Sequence, residues 1–261
     1  MIPIDKLSYY SNLRHVNAAE KFTFSMLSLT ACIVSRSIVI ALLILSVTGI
    51  LNVCKGGLPL SVYIRLMRIP VVFLVSGTLA IYINISKTPL DAFAFPVGAY
   101  YITGSIRGLL KGTQLICTAL SSVSCLYFLS LNTPMTDILN VLKRLHVPAL
   151  ILELMLLIYR YIFVIMHLAS DITVSQNSRL GNIRLSTAGK SFAAMVSSVF
   201  IKSIRRSREI YDALEARCYD GTLQVLSEDY PIKLSEILCI AVFETLLYLM
   251  IIIGRLSGGI L

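Results

Sequence analysis

Two arginines stand in similar surroundings near the ends of two long helical patterns. The tripeptides that contain them lie 38 positions apart and are Ser178-Arg179-Leu180 and Ala216-Arg217-Cys218. An arginine at a helix end can bind a carboxylate through two parallel hydrogen bonds, a geometry that lysine does not reproduce. A simpler interpretation is that each guanidinium complements the helix dipole, which contributes about 0.3–1 kcal/mol. Both interpretations assign these residues to binding or stability, and neither involves a covalent step.

The remaining ionisable residues do not form a catalytic pattern. The three histidines, at positions 15, 146 and 167, show neither HExxH spacing nor a partnering set of carboxylates. We therefore predict that the chain is not an enzyme, that it binds no metal, and that it is not a self-contained metal permease. Glu244, the one charge in its apolar run, is interpreted as a helix-packing or interfacial residue. The sequence contains no GxxxxGK[ST] loop, so we expect no cofactor here and expect ATP to be bound by partner subunits.

Composition identifies the class of protein that must position the arginines. Hydrophobic residues make up 56% of the chain, charged residues only 14%, and the mean hydropathy is +0.81. Soluble domains are about one quarter charged, so this composition predicts an integral membrane protein. The six cysteines show no CxxC pair and fall mostly in apolar runs, where thiols behave as small buried hydrophobes.

Uncharged runs predict an all-α, polytopic fold with about five crossings. A crossing helix needs about 20 apolar residues, because a helix rises roughly 1.5 Å per residue. The runs that we assign to crossings are 22–35, 37–54, 69–86 and 112–136, which are uncharged, and 237–254, which contains only Glu244. The first run is short: with residues 17–21 added it could cross at a slant, or it could lie at the membrane interface, and we count it as a crossing. We divide the chain into N-terminal membrane helices (1–131), coupling helices (132–230) and a C-terminal membrane helix (231–261).

The middle segment predicts two long helices that carry the arginines at their ends. Asn132-Thr133-Pro134 ends the preceding span, and Thr136 or Asp137 can cap a short helix reaching about His146. One long helix is predicted over 149–178 and a second over about 191–218, each followed by a glycine as the usual stop signal, Gly181 and Gly221.

The first long helix carries Glu153, Arg160 and His167 on one stripe, which favours an amphipathic surface helix over a sixth crossing. The second carries an apolar stripe formed by Phe192, Met195, Val196, Val199 and Phe200. It then becomes charged, with i,i+4 pairs Arg205–Glu209 and Arg208–Asp212.

The distribution of positive charge predicts the orientation in the membrane. Placing the N-terminus, residues 55–68 and residues 132–233 on one side collects 18 of the 23 Lys and Arg residues there. By the positive-inside tendency, that side is the cytoplasm. We therefore expect a multi-pass protein of the cell membrane whose N-terminus and coupling helices are cytoplasmic. Acidic residues interleaved between 202 and 217 dilute the positive field, so nucleic-acid binding is not expected.

These motifs, taken in order, resemble one known family. The paired X-Arg-X tripeptides resemble the two short motifs of the transmembrane T component of energy-coupling-factor (ECF) transporters. Three stretches are similar to its cobalt-type members: the opening from Ile4 to Lys21, Asn132-Thr133-Pro134, and Tyr159-Arg160-Tyr161, which matches an arginine-tyrosine pair of that family. The second motif of that family usually ends Ala-Arg-Gly, whereas here Cys218 replaces the glycine. The resemblance extends from Ile4 to Gly221.

The resemblance implies a non-catalytic coupling subunit of an ECF-type ABC importer. Its two cytoplasmic helices would insert Arg179, Arg217 and their neighbours into grooves on two ATP-binding cassette ATPase subunits. Its apolar faces would contact a substrate-binding membrane subunit (CbiM/CbiN-like) and membrane lipids. A T component of a vitamin-type transporter is the nearest alternative, and an intramembrane enzyme is the alternative from another class. Cobalt and nickel are equally compatible with this sequence.

Overall fold

The computed structural model describes residues 3–82, 84–86, 93–97, 100–104, 106–219, 230–231 and 233–256. The α-helices in this part of the chain are α1 Pro3–Tyr10, α2 Ala18–Ser35, α3 Ile38–Ile50, α4 Leu60–Tyr82, α5 Ile106–Asn132, α6 Met135–Arg144, α7 Ala149–Ser178, α8 Leu185–Glu215 and α9 Leu234–Leu256. A 3-10 turn at Asn12–His15 follows α1, and a π turn at Leu51–Lys55 extends α3. The predicted all-α, polytopic fold class is confirmed.

A small antiparallel sheet in the connection between α4 and α5 was not predicted. Its strands are β1 Asn84–Ser86, β2 Phe93–Val97 and β3 Tyr100–Gly104, and β3 lies in the middle. The uncharged run 69–86 was therefore assigned wrongly at its far end, because the helix ends at Tyr82 and Asn84–Ser86 form a strand. The absence of charge in this run marks apolar character, which strands and helices share.

Five helices in the described residues are long and apolar enough to span a membrane. They are Ile38–Lys55, Leu60–Tyr82, Gly108–Asn132, Ala149–Ser178 and Leu234–Gly254. The number agrees with the prediction, but α2 is not in this set and α7 is. Length and composition thus make α7 a candidate crossing, which was the alternative to the predicted surface helix. Helix α2 carries Glu20 and Lys21 in its first turn, which lowers its apolar character.

The chain divides into two compact units. The larger contains Ile2–Ile138 with Asp229–Leu261, and the smaller contains Leu139–Glu228. In the larger unit α5 packs against α2, α3 and α4, and α2 also packs against α9. The buried core of this unit consists of Ala31, Cys32, Ile40, Ala41, Ile44, Cys125, Leu247 and Ile251. Small residues such as alanine and cysteine at these contacts let neighbouring helices approach closely.

Hydroxyl groups join the helices of the larger unit to one another. The Ser28 hydroxyl donates to Glu244 Oε1 at 2.6 Å, and the Glu244 side chain is only 4% exposed. Thr48 Oγ1 and Ser124 Oγ lie 2.6 Å apart between α3 and α5. Glu244 therefore packs α9 against α2, which agrees with its interpretation as a helix-packing residue.

Asn132 is the centre of a buried hydrogen-bond network where α5 ends. Its Oδ1 accepts from Ser11 Oγ at 2.6 Å, and its Nδ2 donates to Asn52 Oδ1 at 2.7 Å and to Phe128 O at 2.8 Å. Both asparagine side chains are fully buried. The network ties the N-terminal segment and the π turn to the C-terminal end of α5.

The amine of Lys21 completes this network. Its Nζ donates to Asn132 O at 2.9 Å and to Leu13 O at 3.0 Å, and the residue is 4% exposed. Burial lowers the pKa of Lys21 to about 8, while the nearby Asp137 carboxylate acts in the opposite direction. A neutral amine still has two N–H donors, which match the two carbonyl acceptors.

The smaller unit is built mainly from α7 and α8, and the prediction of two long helices is confirmed. Helix α7 runs over the predicted residues, with Pro148 at its N-cap. Helix α8 begins at Leu185, six residues earlier than predicted, because Thr187 Oγ1 accepts from the Arg184 N–H at 3.2 Å and starts the first turn there. Helix α6 begins at Met135, so Thr136 and Asp137 lie in its first turn and not at its cap.

Candidate functional site

Helices α7 and α8 form an antiparallel hairpin, closed by polar contacts near its turn. Thr173 Oγ1 donates to Met195 Sδ at 3.3 Å, and Gln176 Nε2 donates to Ser191 O at 2.8 Å. Ser191 Oγ in turn donates to Gly181 O at 2.9 Å. As the residue number rises along α7 and the turn, the number of the partner residue on α8 falls or stays the same. The two helices are therefore antiparallel.

Further from the turn, the two helices enclose an apolar groove of about 630 Å³. We call it the hairpin groove, and its apolar walls are formed chiefly by Leu154, Ile158, Ile162, Ile165, Ile210 and Leu214. Lys202 and Arg206 also line it. The predicted apolar stripe of α8 is divided between two surfaces. Met195 and Val199 are half-buried, whereas Phe192, Val196 and Phe200 are exposed.

The first arginine, Arg179, lies at the C-terminal end of α7, immediately before a left-handed residue. Leu180 has φ +59°, and its N–H donates to Asn177 O at 3.0 Å. The N–H of Gly181 reaches back to Gln176 O at 2.9 Å. These two bonds form a Schellman motif, the standard closure that satisfies the last carbonyls of a helix.

The second arginine occupies the same position in a second Schellman motif. Cys218 has φ +56°, and its N–H donates to Glu215 O at 3.0 Å. The N–H of Tyr219 reaches back to Leu214 O at 3.1 Å. Arg179 and Arg217 therefore have the same backbone setting, in which the chain reverses directly after the arginine. We call these two helix ends the Arg179 tip and the Arg217 tip.

All six predicted site residues are exposed at these tips. They are Ser178, Arg179, Leu180, Ala216, Arg217 and Cys218. The structure assembles them into two groups of three and does not bring the groups together. They lie at opposite ends of α8, whose 31 residues correspond to a length of about 46 Å. The two arginines thus lie on two separate surfaces.

Gly181, which was predicted as the stop of α7, does not hold the left-handed position at that helix end. Leu180 and Cys218 adopt left-handed conformations, and Gly181 follows Leu180 one residue later. A Cβ at Gly181 would lie 2.8 Å from Ser191 Oγ and 3.1 Å from Gln176 O, so glycine is needed there for close packing. Gly221 and Asp220 lie outside the described residues.

Replacing Cys218 by glycine is expected to stabilise the Arg217 tip by about 1 kcal/mol, because a left-handed conformation costs an L-residue roughly 1–2 kcal/mol. Slower hydrogen exchange of the amides of residues 214–219 would show it. The matched control is Cys239→Gly, at an exposed cysteine inside α9, which should destabilise its helix by about the same amount. Faster exchange in Cys218→Gly would contradict the prediction.

The ionisable side chains of the hairpin differ in their exposure and in their partners. Of the predicted stripe, Arg160 and His167 are exposed, whereas Glu153 is only 9% exposed. Glu153 Oε2 accepts a hydrogen bond of 2.8 Å from the Tyr219 hydroxyl. In the charged half of α8, Glu209 pairs with Arg206 at 2.9 Å, three residues before it, and both side chains are exposed. Such an exposed pair contributes little to stability.

The buried Glu153 is the residue that sequence reasoning interpreted least well. The spacing placed it on a stripe with Arg160 and His167, but its partner lies 66 positions away. No signal in the sequence indicates that pairing. The described residues contain no group of three or more His, Cys, Asp or Glu side chains arranged to hold a metal ion. The predicted functional residues at the two arginine tips are exposed.

Comparison with known proteins finds one family over most of the chain. The family described as CbiQ, cobalt transport protein, matches residues 10–226. A cobalt transport protein CbiQ of Salmonella typhimurium is 28% identical over 85% of this chain and 98% of its own length. A putative fused cobalt transport protein CbiMQ of Methanocorpusculum labreanum is 28% identical over 94% of this chain and 41% of its own length. An energy-coupling factor transporter transmembrane protein EcfT of Staphylococcus aureus is 25% identical over 61% of this chain and 66% of its own length.

Proposed function

Because the chain belongs to the CbiQ family of cobalt transport proteins, we propose that it couples two ATP-binding cassette ATPases to a substrate-binding membrane subunit. It is a transmembrane component of an ECF transporter, and its relatives are transport proteins. The finer proposal concerns how movement passes through it. The observation that carries the proposal is the pair of exposed arginine tips, which share one backbone geometry at opposite ends of α8.

Two equivalent tips fit a pair of equivalent partners. Each guanidinium is exposed beyond the last helical turn, where it can reach a carboxylate in a partner groove. With α8 about 46 Å long, the tips reach two separate grooves and not one. Two ATPase subunits that approach or separate would then move the two ends of the hairpin. ATP would be bound by those subunits, and this chain would hold no cofactor.

The hairpin groove supports the proposal of a membrane partner. It is apolar along most of its length and open to a neighbouring helix. A helix of the substrate-binding subunit, of the CbiM or CbiN kind, would bury these side chains as apolar anchors. The fused CbiMQ relative joins, by its name, two such components in one chain. Substrate selection would then belong to that subunit, with cobalt or nickel as its cargo.

We propose that the tips face the cytoplasm, together with the N-terminus. The positive-inside distribution of Lys and Arg supports this orientation. Four apolar helices besides α7 are long enough to span a membrane, which suffices for a multi-pass protein in which α7 lies at the cytoplasmic surface. In this orientation the tips are on the side of the membrane where ATP is available.

One binding experiment tests the partner and the orientation together. Membrane vesicles containing this chain would be prepared inside-out and right-side-out, and then mixed with the purified paired ATPase subunits. We expect the ATPases to sediment with the inside-out vesicles only. Sedimentation with right-side-out vesicles would contradict the orientation, and sedimentation with neither would contradict the coupling function. Uptake of ⁵⁷Co²⁺, ⁶³Ni²⁺ or a labelled vitamin by the complete complex would then identify the substrate class.

A further inference from the structure

The Arg217 tip is connected to the start of α7 through a buried carboxylate. Tyr219, two residues after Arg217, donates its phenolic hydrogen to Glu153 Oε2 at 2.8 Å. Glu153 is 9% exposed and lies in the second turn of α7. A phenol bound to a carboxylate forms a charge-assisted hydrogen bond, which is stronger than a neutral one.

This bond lies at the opposite end of the hairpin from the turn. Near the turn, α7 and α8 are joined by the contacts of Thr173, Gln176 and Ser191. Between the two joined ends lies the hairpin groove, with Leu154 and Leu214 at the end near Glu153. Side chains of both helices line this groove. The tyrosine–glutamate bond therefore opposes any movement that swings the end of α8 away from α7.

The backbone of the Arg217 tip contains a conformation that is unfavourable for an L-residue. Its Schellman motif places Cys218 at φ +56°, a conformation that costs an L-residue free energy. A force applied to Arg217 could therefore unwind the last turn of α8 before it moves the helix. A bond from the residue that closes the motif, Tyr219, to the body of α7 resists that unwinding. This bond is made only two residues after Arg217, to which the force is applied.

We propose that Glu153 and Tyr219 form a latch that fixes the Arg217 tip to α7, so that movement imposed on Arg217 is passed to both helices of the hairpin. The transmission role rests on the proposed coupling function, whereas the latch itself does not. Glu153 and Tyr219 are positioning residues, because they act through Arg217. The Arg179 tip has its own brace at the turn, through Ser191 Oγ and Gly181 O.

Hydrogen exchange on the complete, detergent-solubilised chain tests the latch directly. Tyr219→Phe removes only the hydroxyl, and we expect the amides of residues 214–219 to exchange about tenfold faster, as loss of a charge-assisted bond predicts. Glu153→Leu should have the same effect. Glu153→Gln retains an acceptor oxygen, so its amides at residues 214–219 should keep most of their protection from exchange. The amides around Arg179 serve as an internal control and should not change, and Tyr10→Phe, at a tyrosine that is 84% exposed, controls for the loss of a hydroxyl.

The transmission role is tested in the assembled transporter by the ratio of metal transported to ATP hydrolysed. We expect Tyr219→Phe to bind the ATPases normally and to lower this ratio several-fold, with Glu153→Gln close to the wild type. Unchanged exchange at residues 214–219 in Tyr219→Phe would overturn the latch. Faster exchange with an unchanged transport ratio would overturn the transmission role. If the wild-type chain binds no ATPases, the proposed function fails, while the exchange measurement still decides the latch.

Discussion

Replacing Arg179 or Arg217 by glutamate is expected to abolish stable binding of the ATPase subunits and, with it, metal uptake. Each arginine is exposed at the end of a helix, in a backbone setting that the two tips share. If each pairs with a carboxylate in a partner groove, the substitution places two negative charges together. Reversing the charge of a desolvated pair costs about 2–5 kcal/mol, which weakens binding by roughly 30-fold or more. Pull-down of the ATPases with each variant and with the double variant measures this effect.

The alanine variants separate pairing from dipole compensation. Arg217→Ala leaves a partner carboxylate unpaired and should also weaken binding, although less than the glutamate does. An arginine that only complements its own helix dipole would change binding by well under 1 kcal/mol in either variant. Because the two tips reach separate surfaces, the two single variants should have similar effects and the double variant should be worse than both.

The matched control for these variants is Arg184→Glu. Arg184 is exposed, lies only five residues after Arg179, and belongs to neither tip. The substitution changes the net charge by the same amount, so it should leave binding and uptake nearly unchanged. Wild-type assembly and uptake by Arg179→Glu and Arg217→Glu would refute the role assigned to the tips. Normal binding with failed uptake would mean that the arginines transmit movement without supplying the binding free energy.

Replacing Asn132 by alanine is expected to cause the largest loss of stability of any single change considered. The substitution removes the Asn132 oxygen that accepts from the Ser11 hydroxyl and the Asn132 amide group that donates to Asn52 Oδ1. Ser11 and Asn52 are both buried. Each buried polar group left unsatisfied costs about 1–3 kcal/mol, and a cavity adds to that cost. We therefore expect the free energy of unfolding to fall by about 3–5 kcal/mol. For a domain of this size the apparent Tm would fall by roughly 6–20 °C.

Asn182→Ala is the matched control for Asn132→Ala. Asn182 is exposed in the turn between α7 and α8, so its replacement should change stability by no more than about 0.5 kcal/mol. Thermal unfolding of both variants in the same detergent gives the comparison. Equal Tm values for Asn132→Ala and the wild type would show that the network around Asn132 contributes nothing to stability.

Much of this fold can be predicted from the sequence, because membrane helices are encoded locally. A run of about 20 apolar residues without a charge favours a membrane crossing, independently of the rest of the chain. The bounds of α7 follow from Pro148 and the absence of a breaker up to Ser178. The small sheet between α4 and α5 could not be predicted in the same way. Its three short strands depend on pairing with one another.

The same distinction between local and long-range information applies to the candidate site. The sequence alone determined that Arg179 and Arg217 end two long helices, since helix length and arginine position are local properties. Only the tertiary structure decided that the tips lie at opposite ends of one hairpin and that the left-handed residues are Leu180 and Cys218, not glycines. It also decided that Glu153 meets Tyr219, because 66 intervening positions separate them and their contact depends on how α8 folds back along α7.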